Sequence, residues 1–144
     1  MRNAALAFSL LLTACVSGPQ GISVGHSTPD VAGVWKLNSI AGTPVFSGTN
    51  LTLTLSGDGH ANGNGGCNAF GGAYTQAGAT LTFSQIISTM MACTRPGLTY
   101  EQVMGQEHRF LGALNGDVTA SEPAPGVLVL TTASGDALRF ERAS

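Results

Sequence analysis

Apolar and polar residues alternate along much of the chain in short runs, and this pattern is typical of half-buried β-strands. The clearest case is Leu51–Leu55, where leucine and threonine alternate strictly. Further candidate strands lie at residues 31–40, 81–83, 118–121, 127–132 and 137–141. Glycine-containing turns separate many of these runs, so we expect antiparallel strands joined by tight connections.

One segment has the helical period instead. Its apolar residues recur on one helix face, namely Val103, Met104, Phe110, Leu111 and Leu114. Thr99 can cap this helix together with Gln102, three residues later, in a capping box. Asn115 and Gly116 are a suitable end. We interpret the apolar stripe as a core face, and strands on both sides of the helix predict a mainly β, α+β domain.

The N-terminus has the features of a secretory signal. Arg2 precedes an apolar run over residues 4–12, which is within the usual signal range of about 7–15 and too short to span a bilayer. The run ends at Leu12-Thr13-Ala14-Cys15, which resembles the lipobox of bacterial lipoproteins. That resemblance implies a lipid on Cys15 as the membrane anchor, and several acyl chains would make such anchoring stable.

We therefore expect three regions, namely a signal peptide at 1–14, the lipidated Cys15 with a flexible tether at 15–30, and one domain at 31–144. The tether assignment rests on a segment rich in glycine, proline and serine. Val16 and Ser17 follow the cysteine, where an aspartate would favour retention in the inner membrane. The predicted location is the outer membrane, facing the periplasm.

Charge is sparse in this sequence. Charged residues make up 10% of the chain, whereas typical soluble domains contain about 25%. Without Arg2 the protein keeps five basic and eight acidic groups, a net charge of −3. Nucleic acid is therefore excluded as an expected partner, because such binding needs a basic surface.

The cysteine count becomes even once Cys15 carries lipid. Cys67 and Cys93 then remain as a pair in an oxidising compartment, where a structural disulfide is the favoured interpretation. Two alternatives stay open. One is a reactive thiol assisted by His60 or His108, and the other is a zinc site built from both cysteines and both histidines. Neither has a supporting motif, since the nucleophile signature and the Cys-x-x-Cys spacing are both missing.

A glycine- and asparagine-rich stretch at residues 63–74 is the most distinctive part of the sequence. We favour a structural interpretation, in which glycines permit a tight sheet corner and Asn68 hydrogen-bonds the turn. The alternative is a binding loop that uses Gly66, Asn68, Phe70 and Tyr74. The carboxylates available for chemistry are interpreted as surface charges, namely Glu101, Glu107 and Asp117.

Several short motifs occur in a consistent order, namely Gly33-x-Trp35-x-Leu37, Gly66-Cys67-Asn68-x-Phe70, Thr89-x-Met91-Ala92-Cys93 and Leu138-x-Phe140. Together they resemble the META domain family, which includes HslJ-like heat-shock lipoproteins. The resemblance covers about residues 31–141. It implies a strongly curved antiparallel sheet, close to an open barrel, packed around one α-helix. Met90 departs from the pattern, because relatives often carry arginine or lysine there.

The family is associated with stress tolerance and envelope roles but implies no catalytic mechanism. The leading hypothesis is therefore a non-enzymatic envelope lipoprotein that binds an unknown envelope protein partner. We expect a monomer that needs no cofactor and no metal. Two alternatives are a lipocalin-like carrier of a small apolar ligand and a thiol-dependent enzyme.

Overall fold

The computed structural model describes residues 27–144. The predicted signal peptide, Cys15 and most of the predicted tether lie outside the described residues. The described chain forms one helix, α1 (Tyr100–Ala113), and nine strands. The strands are β1 (Gly33–Ile40), β2 (Thr43–Pro44), β3 (Leu51–Leu55), β4 (His60–Gly65), β5 (Ala69–Ala77), β6 (Thr80–Ser88), β7 (Gly116–Ala124), β8 (Val127–Thr132) and β9 (Ala137–Arg142).

The strands form an antiparallel barrel. Each of β3 to β8 pairs with the next strand along the chain, and β1 pairs with both β3 and β9. This last pairing closes an eight-stranded barrel, with the two-residue β2 beside β1. The prediction of a mainly β, strongly curved sheet around one helix is confirmed. The ladder between β1 and β9 closes the sheet more completely than the open barrel that we expected.

Side chains from the sheet and the helix fill the barrel interior. The three leucines of β3 are at most 1% exposed, because period-two alternation directs all of them inward. Trp35 is fully buried, and its Nε1 donates a hydrogen bond to the Val31 carbonyl oxygen at 2.8 Å. The guanidinium carbon of Arg142 lies 4.4 Å from the centre of the Trp35 ring, a cation–π contact.

Helix α1 packs its buried side into the barrel core. The Phe110 ring meets the Phe70 ring edge-on at 5.7 Å between centroids and lies 6.2 Å from the Phe140 ring. At the start of the helix, Thr99 and Gln102 form the capping box that the sequence predicts. Since Phe110 is fully buried, these aromatic contacts fix the helix against strands from both halves of the chain.

The barrel wall is incomplete at one place, between β6 and β7. These two strands pair only from Thr80↔Thr119 to Phe83↔Gly116, because α1 is inserted in the connection between them. On its other side, β6 continues to pair with β5 as far as Ser88. Within the described residues, 84–88 thus have ladder partners from β5 alone. This part of β6 is a free sheet edge, and α1 faces it across a cleft.

Candidate functional site

A buried carboxylate organises the corner between β4 and β5. Glu107 of α1 is 4% exposed. Its Oε2 accepts hydrogen bonds from the backbone N–H groups of Cys67, at 3.0 Å, and Asn68, at 2.6 Å. Its Oε1 accepts a third from Asn68 Nδ2, at 2.6 Å. Three N–H donors therefore replace the water that this carboxylate would otherwise bind.

The interpretation of Glu107 as a surface charge is wrong. The buried positions of α1 are Val103, Gln106, Glu107 and Phe110. Their spacing is that of a single core-facing stripe, so position 107 points inward with the apolar residues. The position of this carboxylate, four residues after Val103 and three before Phe110, places it on the apolar helix face and could have indicated its burial. The sequence alone did not reveal which donors would satisfy it, because they lie about forty residues earlier.

Asn68 connects this carboxylate to an exposed loop, residues 89–93, which we call the methionine loop. Asn68 Oδ1 accepts hydrogen bonds from Thr89 Oγ1 at 2.8 Å and from the Met91 N–H at 2.6 Å. Asn68 Nδ2 also donates to the Met91 carbonyl oxygen at 3.1 Å. All four hydrogen-bonding positions of the amide are thus used. The side chain of a buried asparagine fixes the path of a loop that is itself at the surface.

A disulfide holds the other end of the methionine loop. Cys67 and Cys93 are joined, with 5.7 Å between their Cα atoms, so the predicted pairing is present. Just beyond the loop, Arg95 Nη2 donates to the Gly66 carbonyl oxygen at 2.8 Å. The loop is therefore fixed covalently and by hydrogen bonds to the β4–β5 corner.

Large apolar side chains are exposed around this loop. Met90 is 98% exposed and Met91 56% exposed, with Ile87 before them and Tyr100 after them also exposed. These are four of the five exposed large apolar residues in the described chain, and the fifth, Val34, belongs to β1. Grouped exposure of this kind is typical of a surface that contacts another molecule.

The methionine loop borders a cleft of about 690 Å³, which we call the methionine cleft. Ile86 and Ser88 of the free β6 edge line one side. Met104, His108 and Leu111 line the helix side, and the buried Asn68 and Glu107 also contribute. Met104 and Leu111 are only partly buried, so the helical stripe that we interpreted as core divides between the core and this cleft.

The structure does not bring the four residues of the alternative binding loop together. Of these, only Asn68 lines the methionine cleft. Gly66 is buried at φ +108° against Leu51, and Phe70 packs in the core. Tyr74, six residues after Asn68 in the chain, is 7% exposed and donates through its hydroxyl to the Ser56 carbonyl oxygen at 2.8 Å.

Tyr74 provides a test of this placement by pH. Burial raises the pKa of its phenol above the usual value, and the nearby Asp58 and Asp30 raise it further. The folded state therefore keeps this proton at a pH where the unfolded chain loses it. Stability is maintained below about pH 10 and declines as the pH rises through the folded-state pKa.

We expect urea unfolding to show this decline as the pH rises above about 10, the usual pKa of a tyrosine phenol. Tyr74→Phe should flatten it, whereas Tyr100→Phe, which removes an exposed phenol, should leave it unchanged. An identical slope in both variants would contradict the buried position of Tyr74.

The reactive-thiol and zinc-site alternatives can be compared with the geometry of the two cysteines. Both sulfurs of Cys67 and Cys93 are engaged in the disulfide, so neither is a thiol or a zinc ligand in this structure. Over residues 27–144, no group of three or more His, Cys, Asp or Glu residues is arranged to hold a metal ion. The same range contains no helix that is both long and apolar enough to cross a membrane.

Solved structures resemble this fold. A protein from Burkholderia xenovorans, determined by NMR, is 32% identical over 78% of this chain and 82% of its own, with a TM-score of 0.60. A second NMR structure is 22% identical, covers 76% of this chain and 88% of its own, and has a TM-score of 0.61. No curated protein matches the chain. The META domain profile matches residues 29–144, and the chain therefore belongs to the META domain family.

Proposed function

We propose that this chain is a lipid-anchored, non-enzymatic protein of the cell envelope that binds a partner protein through the methionine cleft. The observation that carries the proposal is that Met90 and Met91 are both exposed on a loop whose path is fixed by a hydrogen bond to the buried Asn68. A role in envelope maintenance under stress agrees with the roles associated with the family.

The chemistry of the surface supports protein recognition. Methionine side chains are flexible and polarizable, so they adapt to differently shaped apolar surfaces. Among the residues that line the cleft, Glu107 and His108 are the ones that can carry charge, and the Glu107 carboxylate is already satisfied by three N–H groups. The remaining lining is apolar or neutral. A partner that presents an apolar, uncharged surface fits it.

Rigidity of the loop supports affinity. A loop that becomes ordered on binding loses conformational entropy, and this loss opposes association. Here Asn68 and the disulfide fix the methionine loop before any partner arrives. The main ordering that remains is that of the exposed methionine side chains.

The direction of the N-terminal segment agrees with membrane anchoring. The carbonyl oxygen of Pro29 accepts a hydrogen bond from Gln76 Nε2 at 2.9 Å, next to the last residue of β5. Asn68 precedes the first residue of β5. Nine strand residues at about 3.3 Å each separate these two ends by roughly 30 Å. A lipid on Cys15 would thus be joined through the tether to the end of the barrel opposite the methionine cleft, which leaves the cleft accessible.

The filled interior argues against the carrier alternative. A lipocalin-like carrier needs a central space for its ligand. In this barrel that position is occupied by large buried side chains that include Trp35, Phe110 and Phe140. The methionine cleft lies at the surface, where it favours contact with a second macromolecule.

Site-specific photo-crosslinking tests partner binding. A photoreactive residue at position 90 of the full chain, expressed in its lipidated form, should give a defined crosslinked protein in intact cells. The matched control is position 34, because Val34 is also an exposed apolar residue but lies on β1. Identical products at both positions, or none at position 90, would refute the proposal.

Polar substitutions separate binding from folding. The double variant Met90→Ser with Met91→Ser should abolish the crosslink between the partner and a photoreactive residue placed at position 100, in place of Tyr100. The melting temperature should change little, since exposed substitutions usually alter stability by no more than about 0.5 kcal/mol. Anchoring is tested independently, because Cys15→Ser should move the protein from the membrane fraction to the soluble fraction.

A further inference from the structure

The free edge of β6 determines which kind of segment fits the methionine cleft. Beyond Phe83↔Gly116, β7 no longer accompanies β6, and residues 84–88 are paired on the β5 side alone within the described chain. A strand at an edge presents a row of N–H and C=O groups toward the open side. Such a row is complementary to one occupant in particular, which is another extended strand.

We propose that residues 86–88 accept an extended segment of the partner protein as an added β-strand, within the methionine cleft. This inference rests on the proposed function and names the form in which the partner binds. The added strand would form main-chain hydrogen bonds with β6, whereas the methionine side chains of the proposed binding surface would supply apolar contacts.

The regular part of the edge coincides with the cleft. A bulge at Gln85, with φ +56°, interrupts the ladder between β5 and β6. Pairing then resumes at Ile87 and Ser88 and continues into the bond from the Thr89 N–H to the Ala69 carbonyl oxygen at 3.0 Å. Ile86 and Ser88 line the methionine cleft itself. The regular segment thus lies where an incoming strand would enter.

Residues that commonly protect sheet edges do not occur on this one. Natural edges are often blocked by lysine, proline or inward-pointing charges. Residues 84–88 read Ser-Gln-Ile-Ile-Ser, and the side chains of all but Ile86 are exposed. The bulge at Gln85 limits the edge to a short acceptor segment but does not cover it.

The opposite wall specifies the character of the incoming strand. Met104 and Leu111 of α1 face the cleft together with His108, and the lining contains neither lysine nor arginine. An added strand would hydrogen-bond to β6 along one side and contact these helix side chains along the other. The favoured segment is therefore extended, largely apolar and without net charge.

The chain's own N-terminal segment is a poor occupant, because it enters at the other end of the barrel. Pro29 is hydrogen-bonded to Gln76, whereas the acceptor residues lie at the Asn68 end of β5. A second copy of the chain is the remaining alternative. It would leave a signature of its own, namely a dimer whose edge protection increases with protein concentration.

Hydrogen–deuterium exchange of the full chain tests the proposal. The probes are neutral peptides of about six residues, a common strand length, that alternate valine with threonine, serine or phenylalanine. The matched controls have the same side chains with alternate amides N-methylated. We expect the amides of the 86–88 segment that face away from β5, above all that of Ser88, to exchange at least tenfold more slowly with the unmodified peptides, and the N-methylated peptides to bind at least tenfold more weakly.

The other outcomes overturn the proposal in distinguishable ways. Equal binding of N-methylated peptides, with protection confined to the methionine loop, would assign recognition to side chains alone and leave the proposed function intact. Failure of every peptide, combined with a partner crosslinked at position 90, would exclude strand addition only. Concentration-dependent protection without peptide would assign the edge to a second copy. Loss of the position-90 crosslink would remove the proposed function as well.

Discussion

Replacing Glu107 by leucine is expected to lower the free energy of unfolding by about 3 kcal/mol or more. The substitution removes the acceptor of three buried N–H groups, two from the backbone of Cys67 and Asn68 and one from the Asn68 amide. Each buried donor left without a partner destabilises by about 1–3 kcal/mol. Relief of carboxylate burial offsets only part of this loss.

Urea unfolding followed by Trp35 fluorescence measures the effect, since Trp35 is the single tryptophan. Glu101→Leu is the matched control, because it removes an exposed carboxylate from the first turn of the same helix. It should change stability by no more than about 0.5 kcal/mol. Glu107→Gln, which keeps one acceptor oxygen, should be intermediate. Equal stability of the two leucine variants would show that the carboxylate does not organise the corner.

The same substitution should loosen the methionine loop. Asn68 keeps its orientation through Glu107, and Asn68 Oδ1 is the acceptor for the Met91 N–H. Exchange of this amide should therefore become faster in Glu107→Leu, and the crosslink at position 90 should weaken. If Glu107→Leu lowers the stability of the protein but leaves exchange of the Met91 amide unchanged, the disulfide alone is sufficient to hold the loop.

Removing the disulfide is the second change with a large expected effect. The double variant Cys67→Ala with Cys93→Ala should lose about 3–4 kcal/mol, because the bridge closes a loop with a sequence separation of 26 and restricts the unfolded chain. Small domains have a total stability of about 5–15 kcal/mol, so this loss is a large share. Thermal and urea unfolding of the variant measure it.

Chemical reduction is the independent control for the disulfide prediction. A reducing agent should destabilise the parent chain by a similar amount and leave the double alanine variant unaffected. Carrying Cys15→Ser in both proteins keeps lipidation out of the comparison. A melting temperature that is unchanged by reduction would contradict a stabilising role for the bridge.

Local features of the fold could be predicted from the sequence because local physics determines them. The alternation at Leu51–Leu55 and the capping box at Thr99 each depend on residues within one element. The Cys67–Cys93 pairing followed from the cysteine count and the expected compartment. The strand β6 extends well beyond the predicted residues 81–83. Its later residues could not be predicted from alternation, because their burial does not alternate once they have left β7.

The site was harder to predict because its contacts are distant in sequence. Glu107 and Asn68 are 39 residues apart, and no periodic pattern links them. Met104 and Leu111 fit the helical stripe, yet they face the gap left where β6 and β7 separate. Their exposure depends on where β7 begins relative to β6, and a one-dimensional pattern carries no information about that register.

Closure of the barrel by its first and last strands has a consequence for biosynthesis. The ladder between β1 and β9 pairs Trp35 with Arg142 and Leu37 with Phe140, residues more than a hundred positions apart. Contacts of such long range slow folding, and they cannot form until the last strand has been synthesised. A prematurely terminated chain that ends before β9 would leave one edge of β1 and one edge of β8 without a partner strand. Truncated products that lack β9 would therefore expose sheet edges that are prone to aggregation, and addition of β9 completes the barrel.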